Sequence, residues 1–302
     1  PPGLHAYFAI EGTEPKRLLL RALGPTLATF GVANVLADPR LTVLRANGTV
    51  ALANDNWGTL PGADLAAAFA QVGATSLVAG SKDAVVLGTF VPGSYAVRIE
   101  GHNTVPGAAL LELYDLEVNS PGRIAYVALR GPVASPDGSM AGGLTMTNSA
   151  GKRLLIRAVG PTLGGSASLA DPRIEVREGS TIVASNDDWS GSAAMSSVAA
   201  QAGAFPLASP SADAALVVEQ RIGTGAYTAT VTAAADSGEA LLEFYDLPVS
   251  GSSAIAPLVV QPPRAASVAV GAPLTLRTLA VGSPPLTYQW RKNGAPVVGA
   301  TA

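Results

Sequence analysis

Apolar positions along this chain come in short bursts broken by Gly, Pro, Asn and Asp. Leu4 to Ile10 (LHAYFAI) reads as a strand, EGTEP as a turn, and KRLLLRAL from Lys16 as a second strand ended by Gly24-Pro25. The turn ADPR leads into RLTVLRANGTVALAN, where alternating residues flank Asn47-Gly48 and predict a hairpin with a type I′ turn. The counterpart hairpin further on uses Glu178-Gly179-Ser180. Two Ala-rich segments, ADLAAAFAQVG and SAAMSSVAAQAG, break the strand texture. Each ends at a Gly suited to a helix C′ position, which predicts helices of about one to three turns packed on a sheet or capping its end. Three strands follow each helix: DAVVLGTF, SYAVRIEG and AALLELYDL, then DAALVVEQ, AYTATVTA and EALLEFYDL.

This order occurs twice. KRLLLRALGPTL, ADPRLTV, ANDNW, GSYAVRI and LLELYDL in the first half answer to KRLLIRAVGPTL, ADPRIEV, SNDDW, GAYTATV and LLEFYDL in the second. The offset drifts because the loop ATFGVANVL shortens to GGSASL, a change that β domains tolerate. Many short strands, mainly in antiparallel order, predict an all-β chain. It divides into two tandem homologous β-sandwich (jelly-roll-like) domains over residues 1–118 and 119–249, a Ser/Gly/Pro linker over 250–256, and a third unit over 257–302. GRIAYVALRG reads as an extra strand that begins the second domain, and the first copy has no counterpart.

The third unit carries QPP, VGAPLTL and PPLTYQWRKNG, and resembles the first half of a bacterial immunoglobulin-like domain. That resemblance places Trp290 where such domains bury their strand-C tryptophan. The repeated unit, with LIRAVGPTL, ADPRIEV, NDDW, SADAAL, GAYTA and LLEFYDL, resembles a recurring module of large secreted bacterial proteins that often stands beside immunoglobulin-like domains. NDD followed by the GAY strand is also similar to the pre-peptidase C-terminal domain, and that resemblance implies a calcium-binding jelly-roll.

Composition narrows the role. Only 14% of residues are charged and the net charge is −3, with no basic block, so the electrostatic footprint of a nucleic-acid binder is missing. No apolar run approaches the ~18 residues that span a bilayer. The 33 Gly and 23 Pro follow no Gly-X-Y period, which excludes collagen. Cysteine is absent, a composition that fits a bacterial surface protein better than a secreted eukaryotic one. The expectation is an extracellular or cell-surface location, in an excerpt of a longer processed protein.

Catalysis finds little footing. The two histidines, His5 and His102, have no repeated partners, and no G-x-S-x-G elbow is present. Glu112 and Glu243 recur with Asp115 and Asp246 on equivalent strands, which suits salt bridges to Arg21 and Arg157 better than glycoside chemistry. The chain is therefore read as a non-enzyme. Asn54, Asp55 and Asn56 recur as Asn186, Asp187 and Asp188, and Asp83 recurs as Asp213. Oxygen donors clustered at loops suit Ca²⁺, so Asn54, Asp55, Asp83, Asn186, Asp187, Asp188 and Asp213 are candidate calcium ligands. The competing reading is that these side chains cap turns and helix starts. Trp57 and Trp189, next to the acids, are candidates for stacking on sugars or for plain packing.

The first copy lacks a leading strand and the immunoglobulin-like unit its last strands, so open sheet edges are expected. They suggest a structural or adhesive subunit of a bacterial filament or surface stalk. Its partners would be copies of itself, joined head to tail and completed by strand addition, or surface glycans. The alternative is a non-catalytic carbohydrate-binding module of a larger secreted enzyme.

Overall fold

The computed structural model describes residues 4–102, 106–118, 120–134, 138–146, 153–219, 225–233, 235–247 and parts of 257–301. The fold is all-β with antiparallel sheets packed as sandwiches. The first repeat contains β1 (Leu4–Glu11), β2 (Lys16–Leu23), β3 (Pro39–Arg45), β4 (Val50–Asn54), helix α1 (Gly62–Val72), β5 (Ala84–Phe90), β6 (Gly93–Gly101) and β7 (Leu110–Asp115). Next come β8 (Arg123–Val133) and β9 (Ser139–Met146). The second repeat continues with β10 (Arg153–Val159), β11 (Pro172–Glu178), β12 (Thr181–Asn186), α2 (Ala193–Gln201), β13 (Ala214–Glu219), β14 (Gly225–Ala233) and β15 (Gly238–Asp246).

Within each repeat three strands face four. The sheet β5-β2-β7 packs on β1-β6-β3-β4, and β13-β10-β15 packs on β12-β11-β14-β9. The three-stranded sheet is covered on both sides, which explains the near-continuous apolar run of β2. Leu18, Leu20 and Ala22 enter the sandwich interior, while Leu19 and Leu23 point the other way, to Leu65 and Ala68 of α1. Gly73 ends α1 in the left-handed region at φ 65°, and Ser192 caps the start of α2 by accepting a hydrogen bond from Met195 N.

The two repeats are not separate beads. β8 pairs antiparallel with β15 on one side and with β1 on the other. The result is one eight-stranded sheet in the order β13-β10-β15-β8-β1-β6-β3-β4, continuous across the boundary expected at residues 118/119. β8 thus belongs to both repeats.

Two local expectations change. The loop at Asn47-Gly48 is not type I′, because only Gly48 has positive φ (81°). Gly48 N donates to Arg45 O and Arg45 N to Thr49 O, the pattern of a tight turn closed by a left-handed Gly. Asn47 instead accepts hydrogen bonds from Thr49 N and Oγ1, which favours a negative φ at that position. The second change is β9, a strand with no counterpart among the sequence expectations. One of its glycines is set by close approach: a Cβ on Gly142 would stand 2.8 Å from the Phe244 ring.

The expected linker over 250–256 lies outside the described residues. In the third unit, β16 (Leu258–Gln261) pairs with β17 (Leu279–Val281), and β18 (Arg291–Lys292) with β19 (Ala295–Pro296). Trp290 is partly buried and its backbone N–H donates to Ala300 O. No helix among the described residues is long and apolar enough to cross a membrane.

Candidate functional site

The most elaborate polar constellation is a buried ion pair present in each repeat. Arg157 on β10 stands directly across from Glu243 on β15, and Arg21 on β2 from Glu112 on β7. The expected salt bridges form. Arg157 and Glu243 are both fully buried, with Nη2 and Nε of the guanidinium 2.6 and 2.8 Å from Glu243 Oε2. Nη1 donates to Phe205 O at 2.7 Å, and the guanidinium lies over the Phe205 ring at 4.3 Å and the Tyr245 ring at 5.5 Å. Tyr126 of β8 and Tyr245 donate their hydroxyls to Glu243 Oε1 at 3.1 and 2.8 Å. Both carboxylate oxygens are therefore satisfied, as a buried charge demands.

The first-repeat centre is built alike but stays open on one side. Arg21 is fully buried and donates to Glu112 Oε2 and to Thr75 O, over the Phe69 ring at 4.9 Å. Glu112 accepts only the Tyr114 hydroxyl at its other oxygen and is 21% exposed. The difference is Tyr126: β8 brings it to Glu243, and among the described residues no strand does so for Glu112.

Burial sets the proton affinities. Desolvation, then the nearby Glu243 charge, pushes the Tyr126 and Tyr245 phenols well above their ordinary range. Tyr114 is pushed up to about 12 by desolvation and by Glu112. For Arg157, desolvation works against the charge, and Glu243, Tyr245 and Tyr126 outweigh it, so its pKa is raised. These three phenols and the Arg157 guanidinium are all moved further from neutral pH. That suits a structural lock and not proton transfer, which needs a group poised near the working pH.

The candidate calcium ligands divide. Asp83 is fully buried, and its carboxylate accepts from Gly24 N, Thr26 N, Thr26 Oγ1 and Ser81 Oγ. Asp213 repeats this with Gly160 N, Thr162 N, Thr162 Oγ1 and Ser211 Oγ. Both acids hold the tight turn after β2 or β10 in place. The glycine of that turn is required by space: a Cβ on Gly24 would meet Leu36 O at 2.0 Å, and one on Gly160 would meet Leu169 O at 2.2 Å. Asn54 and Asn186 accept from Val85 N and Ala215 N and donate to Asn56 O and Asp188 O, so they tie the corner to the next strand.

Asp55, Asp187 and Asp188 sit in a different, more exposed corner. In the first repeat, Lys82 bonds Asp38 at 2.5 Å and His102 Nδ1 lies 3.6 Å from Asp55. One oxygen of Asp38 and one of Asp55 are buried without a hydrogen-bond donor. In the second repeat Ala212 replaces the lysine. The Asp171 pKa is raised there, first by desolvation and then by Asp187, Asp188 and Asp236. Among the described residues no group of three or more His, Cys, Asp or Glu side chains is placed to hold a metal ion.

Trp189 is buried, and its indole N–H reaches Ala208 O and Ser211 Oγ, so it packs beneath the loop. It helps line a cavity of about 150 Å³ with Met195, Ala199 and Leu207, smaller than typical ligand sites of ~300 Å³ and above. Trp57 is partly exposed, with its N–H on Ser81 Oγ.

Several structural residues escaped the sequence reading. Thr26, Thr162, Ser81 and Ser211 recur in GPT and S-x-D-A, and the repetition itself was the available signal. Lys16, also buried, donates to Glu117 O and Gly122 O and pairs with Asp115 at 2.9 Å. Arg123 ties β8 to both neighbours, pairing with Glu11 of β1 and with Asp246 of β15 at 3.0 Å.

No protein-family model matches the chain, and no curated protein does. Among solved structures it is similar to the major capsid protein P2 from Bacteriophage PM2, at 9% identity over 82% of this chain and 99% of that one. The TM-score is 0.19, too low for the likeness to bear on fold or function.

Proposed function

We propose that this chain is a structural subunit of a bacterial extracellular filament or surface stalk, held by head-to-tail contacts between copies of itself. The observation that carries this reading is β8. By pairing with both β15 and β1 it joins the two repeats in one continuous sheet, so that they cannot come apart without breaking its strand pairings. The two buried Arg–Glu pairs and the Asp83 and Asp213 carboxylates support it, because they are committed to internal bonds rather than presented to a substrate. Light scattering over a concentration series and negative-stain electron microscopy test the proposal. End-to-end particles that lengthen with concentration are expected, and a monodisperse monomer throughout would sink it.

A second reading, a non-catalytic carbohydrate-binding module, is favoured by the partial exposure of Trp57 beside a polar loop. Its test is a polysaccharide pull-down in which Trp57→Ala abolishes retention and Trp189→Phe does not.

A further inference from the structure

The internal repeat makes a demand on the second layer of the molecule. Equivalent segments map β1 to β9, β2 to β10, and so on to β7 and β15. Applied to the order β4-β3-β6-β1-β8-β15-β10-β13, this mapping returns β12-β11-β14-β9, then a counterpart of β8, then β7-β2-β5. Those are the strands of the two smaller sheets, each in its observed order. The smaller sheets also share one face of the eight-stranded sheet, since Leu129 of β8 packs into both sandwich interiors.

Their free edges face the middle of that layer. β5 packs on β4 and β3, and β12 packs on β13, so these are the outer strands. β9 packs on β8 and β15, which leaves β7 and β9 as the inner edges. Among the described residues neither inner edge has a strand beside it. The strands around the seam between them carry partly buried apolar side chains: Ile124, Val127 and Leu129 of β8 with Leu111 and Leu113 of β7 pack against the first sandwich core, and Leu129 with Leu144 of β9 against the second.

Burial across the repeat shows what the seam lacks. Leu241 of β15, next to β8, is 0% exposed, while its counterpart Leu110 is 43% exposed. Glu243 is fully buried and Glu112 is not. β8 also sets the register, with Tyr126 opposite Tyr245 and Ala128 opposite Glu243.

We propose that the seam between β7 and β9 takes up an extended strand of β8's pattern, antiparallel to both, with a tyrosine opposite Tyr114 that hydrogen-bonds Glu112. Its source is polypeptide leading into β1, as β8 leads into β9 across the short link from Val133 to Ser139. The filled seam makes a second continuous eight-stranded sheet on the first. Strand addition of this kind draws affinity from main-chain hydrogen bonds and specificity from alternate side chains. The proposal does not rest on the filament reading, and microscopy of the unmodified chain tests that reading separately.

The experiment adds a synthetic peptide of residues 122–131, GRIAYVALRG, to the full chain and follows hydrogen exchange. Saturable protection of the β7 and β9 amides is expected. A peptide with Phe at the Tyr126 position should bind about tenfold more weakly, the loss of one hydrogen bond to a charged group. A chain with residues 121–138 joined ahead of Gly3 should melt higher, keep the oligomeric state of the unmodified chain and no longer bind the peptide. Unchanged exchange at both edges, with peptide and with the extended chain, overturns the seam as an acceptor. An extended chain that multimerises beyond the unmodified chain, and is returned to its state by peptide, overturns the assignment of the source to the same polypeptide.

Discussion

Removing the Glu243 charge should cost far more than removing its counterpart in the first repeat. Glu243→Gln keeps the shape but leaves the Arg157 guanidinium charged, fully buried and without its counter-ion. It also forces the amide to meet two phenol donors and two guanidinium donors with one good acceptor. Breaking one side of a buried pair costs about 3–5 kcal/mol. Glu112→Gln breaks a pair whose carboxylate is 21% exposed, so water reaches the site and the loss falls to about 1.5–3 kcal/mol, the range of one charged hydrogen bond. Urea denaturation reads both, with Trp189 reporting the second repeat and Trp57 the first, each in a chain whose other tryptophans are Phe. Midpoints should fall with unchanged m-values. A Glu243→Gln variant no less stable than Glu112→Gln would refute the argument that β8 completes the centre.

Further outcomes follow from single contacts. Gly160→Ala should cost about 3 kcal/mol or more, because its Cβ would press on the Leu169 carbonyl while Asp213 holds its N–H; Gly58→Ala, in open space, should be near neutral in the same thermal melt. The raised phenols of Tyr126 and Tyr245 contribute stability that is complete below their ordinary value of 10.0 and is lost as pH rises through their folded values. Alkaline titration of stability should therefore steepen above pH 10, and Tyr126→Phe should flatten it by about 1.4 kcal/mol per pH unit. The Asp171 pKa is raised above 3.8, so its ionisation opposes folding at neutral pH and ceases to do so in acid. Asp171→Asn should raise the melting temperature at pH 7 and leave it unchanged below pH 3.8, and equal shifts at both pH values would count against the reading. If Ca²⁺ stiffens that corner, EDTA should lower the wild-type melting temperature and leave Asp187→Asn/Asp188→Asn unmoved.

The duplication, nearly every strand of the two repeats and both helices were legible in the amino-acid order. Each depends on short-range rules: alternation, Gly-Pro punctuation and Ala-rich runs closed by Gly. The pairing of Arg157 with Glu243 was also legible, because a charge pair copied to equivalent strands is more simply structural than catalytic. β9 was not, since Gly142 and Gly143 lower its strand signal and only the approach of Phe244 explains the first of them. The candidate calcium ligands were ambiguous for the same reason. Asp83 and Asp188 are equally good oxygen donors on paper, yet four nearby donors surround one and other carboxylates the other.

What only the tertiary structure decided is the partnership of β8. Its own alternation, with Tyr126 and Ala128 on one face and Val127 and Leu129 on the other, is the same whichever strand lies beside it. Sequence fixes which face of a strand is apolar through local geometry with a period of two. Which edges it joins depends on packing between residues more than a hundred positions apart, such as Arg123 with Glu11 and with Asp246.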